Sequence, residues 1–133
     1  MGFFTSIIEL LARFFLSIVF FINGLFKSTY YEETVEYMVD YDVHAILAIP
    51  TIMFEIIFPL LIIIGYKTRI SASALFLFCI ATAVIFHSDF SNQVQITSFL
   101  KNIAIAGGFL ILLINGPGQF SLDKKFNYPL IPK

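Results

Sequence analysis

Four long apolar stretches govern what this chain can become. They run roughly over residues 4–26, 45–64, 71–88 and 98–115. A helix needs about 20 residues to cross roughly 30 Å of hydrocarbon, and in hydrocarbon a helix is one of the few ways to satisfy every backbone N–H and C=O internally. Four such stretches in 133 residues predict an all-α fold, an integral membrane four-helix bundle. The third stretch is short and must borrow flanking residues or sit where the bilayer thins. Composition excludes the main competitor. With 59% hydrophobic and 13% charged residues, the chain lacks the polar surface that keeps a soluble domain of this size dissolved. A net charge of -1 supplies no basic field for nucleic acid. The one cysteine, Cys79, excludes an intrachain disulfide and the chemistry of a CxxC pair. The first stretch is too long for a signal peptide and no A-x-A site follows it. "MGFFTS" fits an acylation pattern, which a helix starting at residue 3 or 4 makes a coincidence.

The connections are short, so consecutive helices should be antiparallel neighbours in up-down order. "GYKTRI" carries Lys67 and Arg69, "NGPGQFSLDKK" carries Lys124 and Lys125, and the chain ends at Lys133. The first connection instead holds Glu32, Glu33, Glu36, Asp40 and Asp42. The positive-inside rule then places both termini, with the tail 116–133, in the cytoplasm. Within the acidic connection Tyr30, Thr34, Tyr37, Met38 and Tyr41 recur at helical spacing. That predicts an extra interfacial helix between the first two spans, either anchoring the bundle at headgroup level or roofing a site. With no repeat and no dividing linker, residues 1–133 read as a single transmembrane domain.

Charges inside the spans require partners or, for Glu55, protonation, because an ionised group in hydrocarbon costs several kcal/mol or more. Glu55 lies about ten residues from the predicted cytoplasmic end of its span, roughly 14 Å deep, and Arg13 about nine residues from the end of its own, roughly 13 Å deep. Matching depth on antiparallel neighbours predicts that they pair. Glu9, one turn before Arg13, extends this to a Glu9–Arg13–Glu55 chain. Pro59 has no N–H to give the carbonyl of Glu55, so the carboxylate sits beside a freed acceptor. Polar and small residues mark an inward stripe on each helix: Arg13, Ser17, Gly24 and Lys27; His44, Ala48, Thr51, Glu55 and Pro59; Ser73, Ala83 and His87; Lys101, Ala104, Gly108 and Asn115.

By depth, a second polar group gathers near the outer ends: Asn23, Lys27, His44, His87, Lys101 and Asn102. It is rich in donors and suits an electron-rich ligand such as a quinone carbonyl, with His87 donating to the oxygen or relaying a proton. Lys27 and Lys101 equally suit snorkelling to headgroups, and a buried pair can simply fix helix register. His44 and His87 could in principle ligate haem axially, but no supporting motif accompanies them and no metal is expected.

These residues carry a resemblance. An arginine in the first span is followed by "FFINGLFK" (Phe20 to Lys27), a glutamate lies in the second, then come "IIIGYKTRISA", His87 at the end of the third, and "KNIAIAGGFLILLINGPGQFSLD", whose Gly116, Gly118, Ser121 and Asp123 form a Gly-x-Gly-x-x-Ser-x-Asp ending. In order and spacing the set resembles the DoxX family over nearly the whole chain. The resemblance implies a four-helix protein of the bacterial inner membrane, in a family that includes a subunit of a thiosulfate:quinone oxidoreductase and members tied to quinone or thiol redox stress. The family's membrane arginine, glutamate and helix-three histidine would be Arg13, Glu55 and His87. The acidic, tyrosine-rich connection is not part of that pattern.

The expected function is a quinone-interacting or accessory subunit of a membrane oxidoreductase. With no thiol pair and no evident metal site in the sequence, such a subunit needs a protein partner to pass electrons. The alternative is a non-catalytic scaffold or assembly factor, in which the buried pair only fixes packing and the small-residue faces make contacts, with a partner or with further copies of the chain. A transporter ranks last, since four helices leave little room for a pore.

Overall fold

A computed structural model describes residues 2–126. Met1 of the acylation pattern and Lys133 of the basic tail lie outside the described residues. The helices are α1 (Phe3–Thr29), α2 (Tyr31–Asp40), α3 (Ala48–Ile64, entered through a 3-10 turn, Ala45–Leu47), α4 (Thr68–Phe86), α5 (Gln93–Asn115) and the single turn α6 (Leu122–Lys125). Four are long and apolar enough to cross a membrane: α1, α3 with its 3-10 turn, α4 and α5. They stand in up-down order, with α2 across one end of the bundle and α6 at the other.

Local chemistry sets the boundaries. Gly65, at φ 73°, closes α3 in the left-handed conformation, its N–H bonded to Ile62 O and that of Tyr66 to Leu61 O, the double closure of a Schellman motif. Two residues later α4 begins, and its cap comes from the far end of the chain: the Asp123 carboxylate accepts from the backbone N–H of Lys67 at 2.7 Å and of Thr68 at 2.8 Å. This cap lengthens the third span. It starts at Thr68 rather than residue 71, spans 19 residues and ends at Phe86 with His87 as its cap. Asn92 caps α5, accepting from Val94 N at 2.9 Å, so that span also begins earlier than expected.

Packing is uneven around the bundle. The α1–α3 and α4–α5 pairs are extensive, α3 joins them through α4, and α1 and α5 touch little. Between the pairs, Phe20, Ile62, Leu75, Cys79 and Phe109 form the core with Ala72 and Ala106. Two glycines set the closest approaches: a Cβ on Gly24 would stand 3.2 Å from the backbone carbon of Glu55, and one on Gly108 2.9 Å from Leu16 Cδ1. Outward faces carry large exposed apolar side chains such as Ile46, Leu77 and Ile114, suited to a lipid surround rather than water.

The expected inward stripes hold on α1, which buries Arg13, Ser17 and Gly24, and on α3, which buries Ala48, Glu55 and Pro59. On α4 the stripe holds in part, at Ala83, and on α5 it fails. The face that α4 buries runs through Thr68, Ala72, Leu75, Cys79 and Ala83, and Ser73 lies beside it. On α5 the buried residues are Ala106 and Phe109, while Lys101, Ala104 and Asn115 are exposed. A helix between lipid and protein is apolar on both sides, so core and lipid faces are not told apart by polarity.

Candidate ligand-binding site

The charge pairing differs from expectation. Glu55 pairs with Lys27, whose Nζ donates to Oε1 at 2.8 Å and Oε2 at 2.7 Å; the glutamate side chain is 3% exposed and the lysine 34%. Arg13, also buried, is taken by the other end of the molecule: Nη1 donates to Ile62 O at 3.5 Å and Nη2 to Phe120 O. The predicted Arg13–Glu55 pair and the Glu9–Arg13–Glu55 chain are therefore not formed. The cause is register. At 27 residues, α1 is ten longer than α3, and Arg13 lies level with the close of α3, where a Cβ on Gly65 would run into its Nη1. The start of α1 overhangs the bundle, so depth counted from residue 4 overstates how far in Arg13 lies. Lys27 is 14 residues further along, about 21 Å at 1.5 Å per residue.

At the tail end, Glu9 accepts from Gln119 N at 3.3 Å, Asp123 N donates to Gly65 O at 2.8 Å, and Ser121 Oγ accepts from Lys124 N at 3.2 Å. The Gly116–Asp123 ending is thus more than a helix stop followed by a surface turn. It folds back over Arg13 and caps α4. Gly65 and Gly118 hold positive φ where Arg13 and Glu9 leave no room for a side chain. These groups already serve one another structurally.

At the α2 end lies a cavity of about 410 Å³, inside the range of small-molecule sites. Glu55 and Lys27 form its charged floor, with Asn23, Thr51, Thr82, Asn102 and His87 along the wall and Phe20, Phe78 and Phe86 as aromatic surface. The predicted extra helix is present, and its Thr34, Tyr37 and Met38 line the cavity from above. It is a roof held by aromatic contacts: Tyr37 stacks on Phe86 with centroids 5.5 Å apart, and Tyr41 meets Phe86 edge-on at 5.2 Å. Burial, with the hydrogen bond to Tyr41, pushes the Tyr37 phenol up to about 12.

Among the predicted donors, Asn23, Lys27, His87 and Asn102 meet at this cavity. Lys101 does not line it but stands at a smaller adjoining one of about 190 Å³, with Asn23, His87 and Asn102. His44 is exposed before the 3-10 turn and joins neither, because the turn carries it past the rim. The histidines do not converge, so the haem arrangement has no geometric support. His87 Nδ1 is 3.0 Å from Gln95 Oε1, and Gln95 Nε2 donates to Tyr41 OH at 3.3 Å. With a carbonyl oxygen facing it, Nδ1 carries the proton and the neutral ring offers Nε2 as acceptor. Asn102 Nδ2 donates to Ser98 O at 3.1 Å and its Oδ1 accepts from Thr82 Oγ1 at 3.4 Å, whereas no hydrogen bond from the described residues holds the Asn23 carboxamide. Sequence reasoning missed Thr82 and Gln95. Thr82 is a polar residue one turn before the helix-four end, a signal that was available; Gln95 reads as loop until Asn92 is known to start the helix.

Four membrane-crossing helices, a buried ion pair and a roofed polar cavity define a multi-pass membrane protein with an interior site. The chain belongs to the DoxX family, whose model matches residues 8–88. It is 38% identical over 118 residues to Inner membrane protein YqjF of Escherichia coli (strain K12), covering 89% of this chain and 91% of that protein. It is 33% identical over 126 residues to Inner membrane protein YphA of the same organism, covering 90% of each. No solved structure matches it. With these relatives, the four apolar helices make it a multi-pass inner membrane protein.

Proposed function

We propose that this DoxX-family protein binds a small quinone in the α2-end cavity, as a non-autonomous subunit of a membrane oxidoreductase whose partner protein exchanges the electrons. The observation that carries this is the convergence of uncommitted hydrogen-bonding groups on a largely aromatic wall. Lys27 has three N–H donors and gives two directions to Glu55, leaving a charge-assisted donor for a carbonyl oxygen. Asn23 supplies a neutral donor. His87 Nε2 suits the reduced form, accepting from a quinol hydroxyl rather than donating to a quinone oxygen. In this reading the tail end, with Lys67, Arg69, Lys124 and Lys125, faces the cytoplasm.

Native mass spectrometry of the detergent-released protein with menadione, a tail-less naphthoquinone, tests the reading. We expect saturable binding that Asn23→Ala weakens about threefold to tenfold, the worth of one hydrogen bond of about 1 kcal/mol, without loss of thermal stability. Absence of binding by the wild-type protein refutes it. A second reading, a non-catalytic scaffold or assembly factor, draws on the fact that both Glu55 oxygens are already satisfied by Lys27. In that case Asn23→Ala and His87→Ala are silent in function, and the pair serves only to hold α1 on α3.

A further inference from the structure

The α2-end cavity does not stop at the bundle wall. The adjoining 190 Å³ cavity shares four lining residues with it, Phe20, Asn23, His87 and Asn102, and continues outward between Val19 on α1 and Ser98, Lys101 and Ile105 on α5. These two helices, though neighbours, touch little. Leu16 against Gly108 is their tight approach, and the mouth opens between that point and the α2 end. Val19 is 39% exposed, facing the lipid side. From above, by contrast, α2 roofs the main cavity, held by the Tyr37–Phe86 stack and by the His87–Gln95–Tyr41 hydrogen bonds that tie α4, α5 and the end of α2 together.

We propose that the α1–α5 gap is a lateral portal, and that the ligand is a membrane-resident amphiphile whose ring lies in the main cavity while its isoprenoid or alkyl tail passes between Val19 and Ile105 into the bilayer. This rests on the reading of the main cavity as a quinone site and narrows it to tailed, lipid-soluble quinones. The physical case is continuity. A hydrocarbon tail enclosed in the protein must find apolar volume or stay in lipid, and the adjoining cavity leads from the largely aromatic main cavity to the lipid-facing surface, with Val19, Phe20 and Ile105 as its apolar side and Asn23, His87, Ser98, Lys101 and Asn102 as its polar side. Its apolar sides, Val19, Phe20 and Ile105, take methylenes at about 0.8 kcal/mol each. Asn23 and Asn102 stand at the threshold between ring and tail, where a ring substituent would meet them. Lys101, without a hydrogen-bond partner among the described residues, sits at the rim where its ammonium reaches headgroup level.

The test compares two probes with one head: menadione, and a menaquinone with a tetraprenyl tail. Val19→Trp narrows the mouth from the lipid side, where Val19 is exposed; Ile105→Trp narrows it from α5, where Ile105 is half-buried against the core, so thermal unfolding first checks that this variant folds; Ile105→Leu is the volume-conserving control. Binding of both probes is followed by native mass spectrometry on wild type and variants. The portal predicts that the Trp variants lose about tenfold or more in affinity for the tailed probe, equivalent to about 1.4 kcal/mol. Menadione should change by less than about threefold and Ile105→Leu should leave both unchanged. Equal loss of both probes, or no loss of either, overturns the portal while leaving the ring site standing. Failure of wild type to bind menadione overturns the ring site itself.

Discussion

Cutting the Lys27–Glu55 pair should be asymmetric, because its two members differ in exposure. The charges lie 2.7–2.8 Å apart, with the glutamate 3% and the lysine 34% exposed. At an effective dielectric of about 20 such charges attract by about 6 kcal/mol, and desolvation takes back several kcal/mol per ion. Lys27→Met leaves a carboxylate that cannot reach solvent, and stranding one member of a buried pair costs about 3–5 kcal/mol. The partly open lysine screens the attraction, so we expect the low end, about 3 kcal/mol. Glu55→Leu leaves a lysine whose stem can carry its charge to the interface, at about 1 kcal/mol. Lys27→Met with Glu55→Leu removes both desolvation costs and should fall within about 1 kcal/mol of wild type, giving a coupling of about 3 kcal/mol. Denaturant unfolding of detergent-solubilised protein, followed by circular dichroism, measures all four species. A Lys27→Met cost below about 1 kcal/mol, or equal costs for the two single variants, refutes the reasoning.

Other consequences follow from the tail end and the roof. Asp123→Ala removes the two acceptors at the start of α4; it should cost about 1–2 kcal/mol and raise hydrogen exchange at the Thr68 amide while the Val94 amide of α5 is unaffected. Gly65→Ala combines positive φ with a collision against Arg13 and should cost about 2 kcal/mol or more in thermal unfolding. Gly107→Ala, where a Cβ meets nothing within 4 Å, should be neutral or stabilising by up to about 1 kcal/mol. Of six tyrosines, Tyr37 should titrate near 12 by ultraviolet tyrosinate absorbance, and Tyr41→Phe should lower it only in part, because burial, the larger cause, remains. The folded protein holds this proton more tightly than the unfolded chain. Its stabilisation is therefore complete below pH 10 and lost as the pH rises from 10 to about 12.

The sequence made four helices and a tyrosine-faced fifth legible because each rests on a strong local signal. Length and apolarity mark a span, and helical spacing of Thr34, Tyr37 and Met38 against acids marks an amphipathic roof. It also grouped Asn23, Lys27, His87 and Asn102, which line one cavity, with His44 and Lys101, which do not line it, because depth along a helix is readable from sequence and the direction a side chain faces is not. What it could not give was register. Counting depth from the apparent start of an apolar run assumes that the run begins at the membrane surface. The first ten residues of α1 are as greasy as the rest, yet they overhang α3 and stay largely exposed, meeting at Phe3 and Glu9 a tail whose fold-back no local pattern announces. The buried face of α5 was illegible for another reason. Phe109 in the core and Leu110 toward lipid are chemically alike, and only three-dimensional packing separates them.

The corrected pairing changes which experiment separates a structural lock from a working part. The two cations of α1 hold different ends of the molecule: Arg13 is spent on the carbonyls of Ile62 and Phe120, and Lys27 on Glu55. Exchanging Arg13 with Glu55 would therefore place two charges where neither has a partner, and its failure would say nothing about function. The informative exchange is Lys27→Glu with Glu55→Lys. It restores an opposite-charge pair between positions 27 and 55 and should recover most of the roughly 3 kcal/mol lost by Lys27→Met. It also moves the ammonium from the α1 wall to the α3 floor, beside the carbonyl that Pro59 leaves free. A lock tolerates that move, so the scaffold reading expects folding and function to return together. A ligand donor does not, since a hydrogen bond fails when the donor is displaced by an ångström or more. The quinone-site reading therefore expects recovered stability with menadione affinity still reduced about tenfold, the loss of one charge-assisted bond. Full recovery of both, measured on the same preparation, would assign the pair to architecture alone.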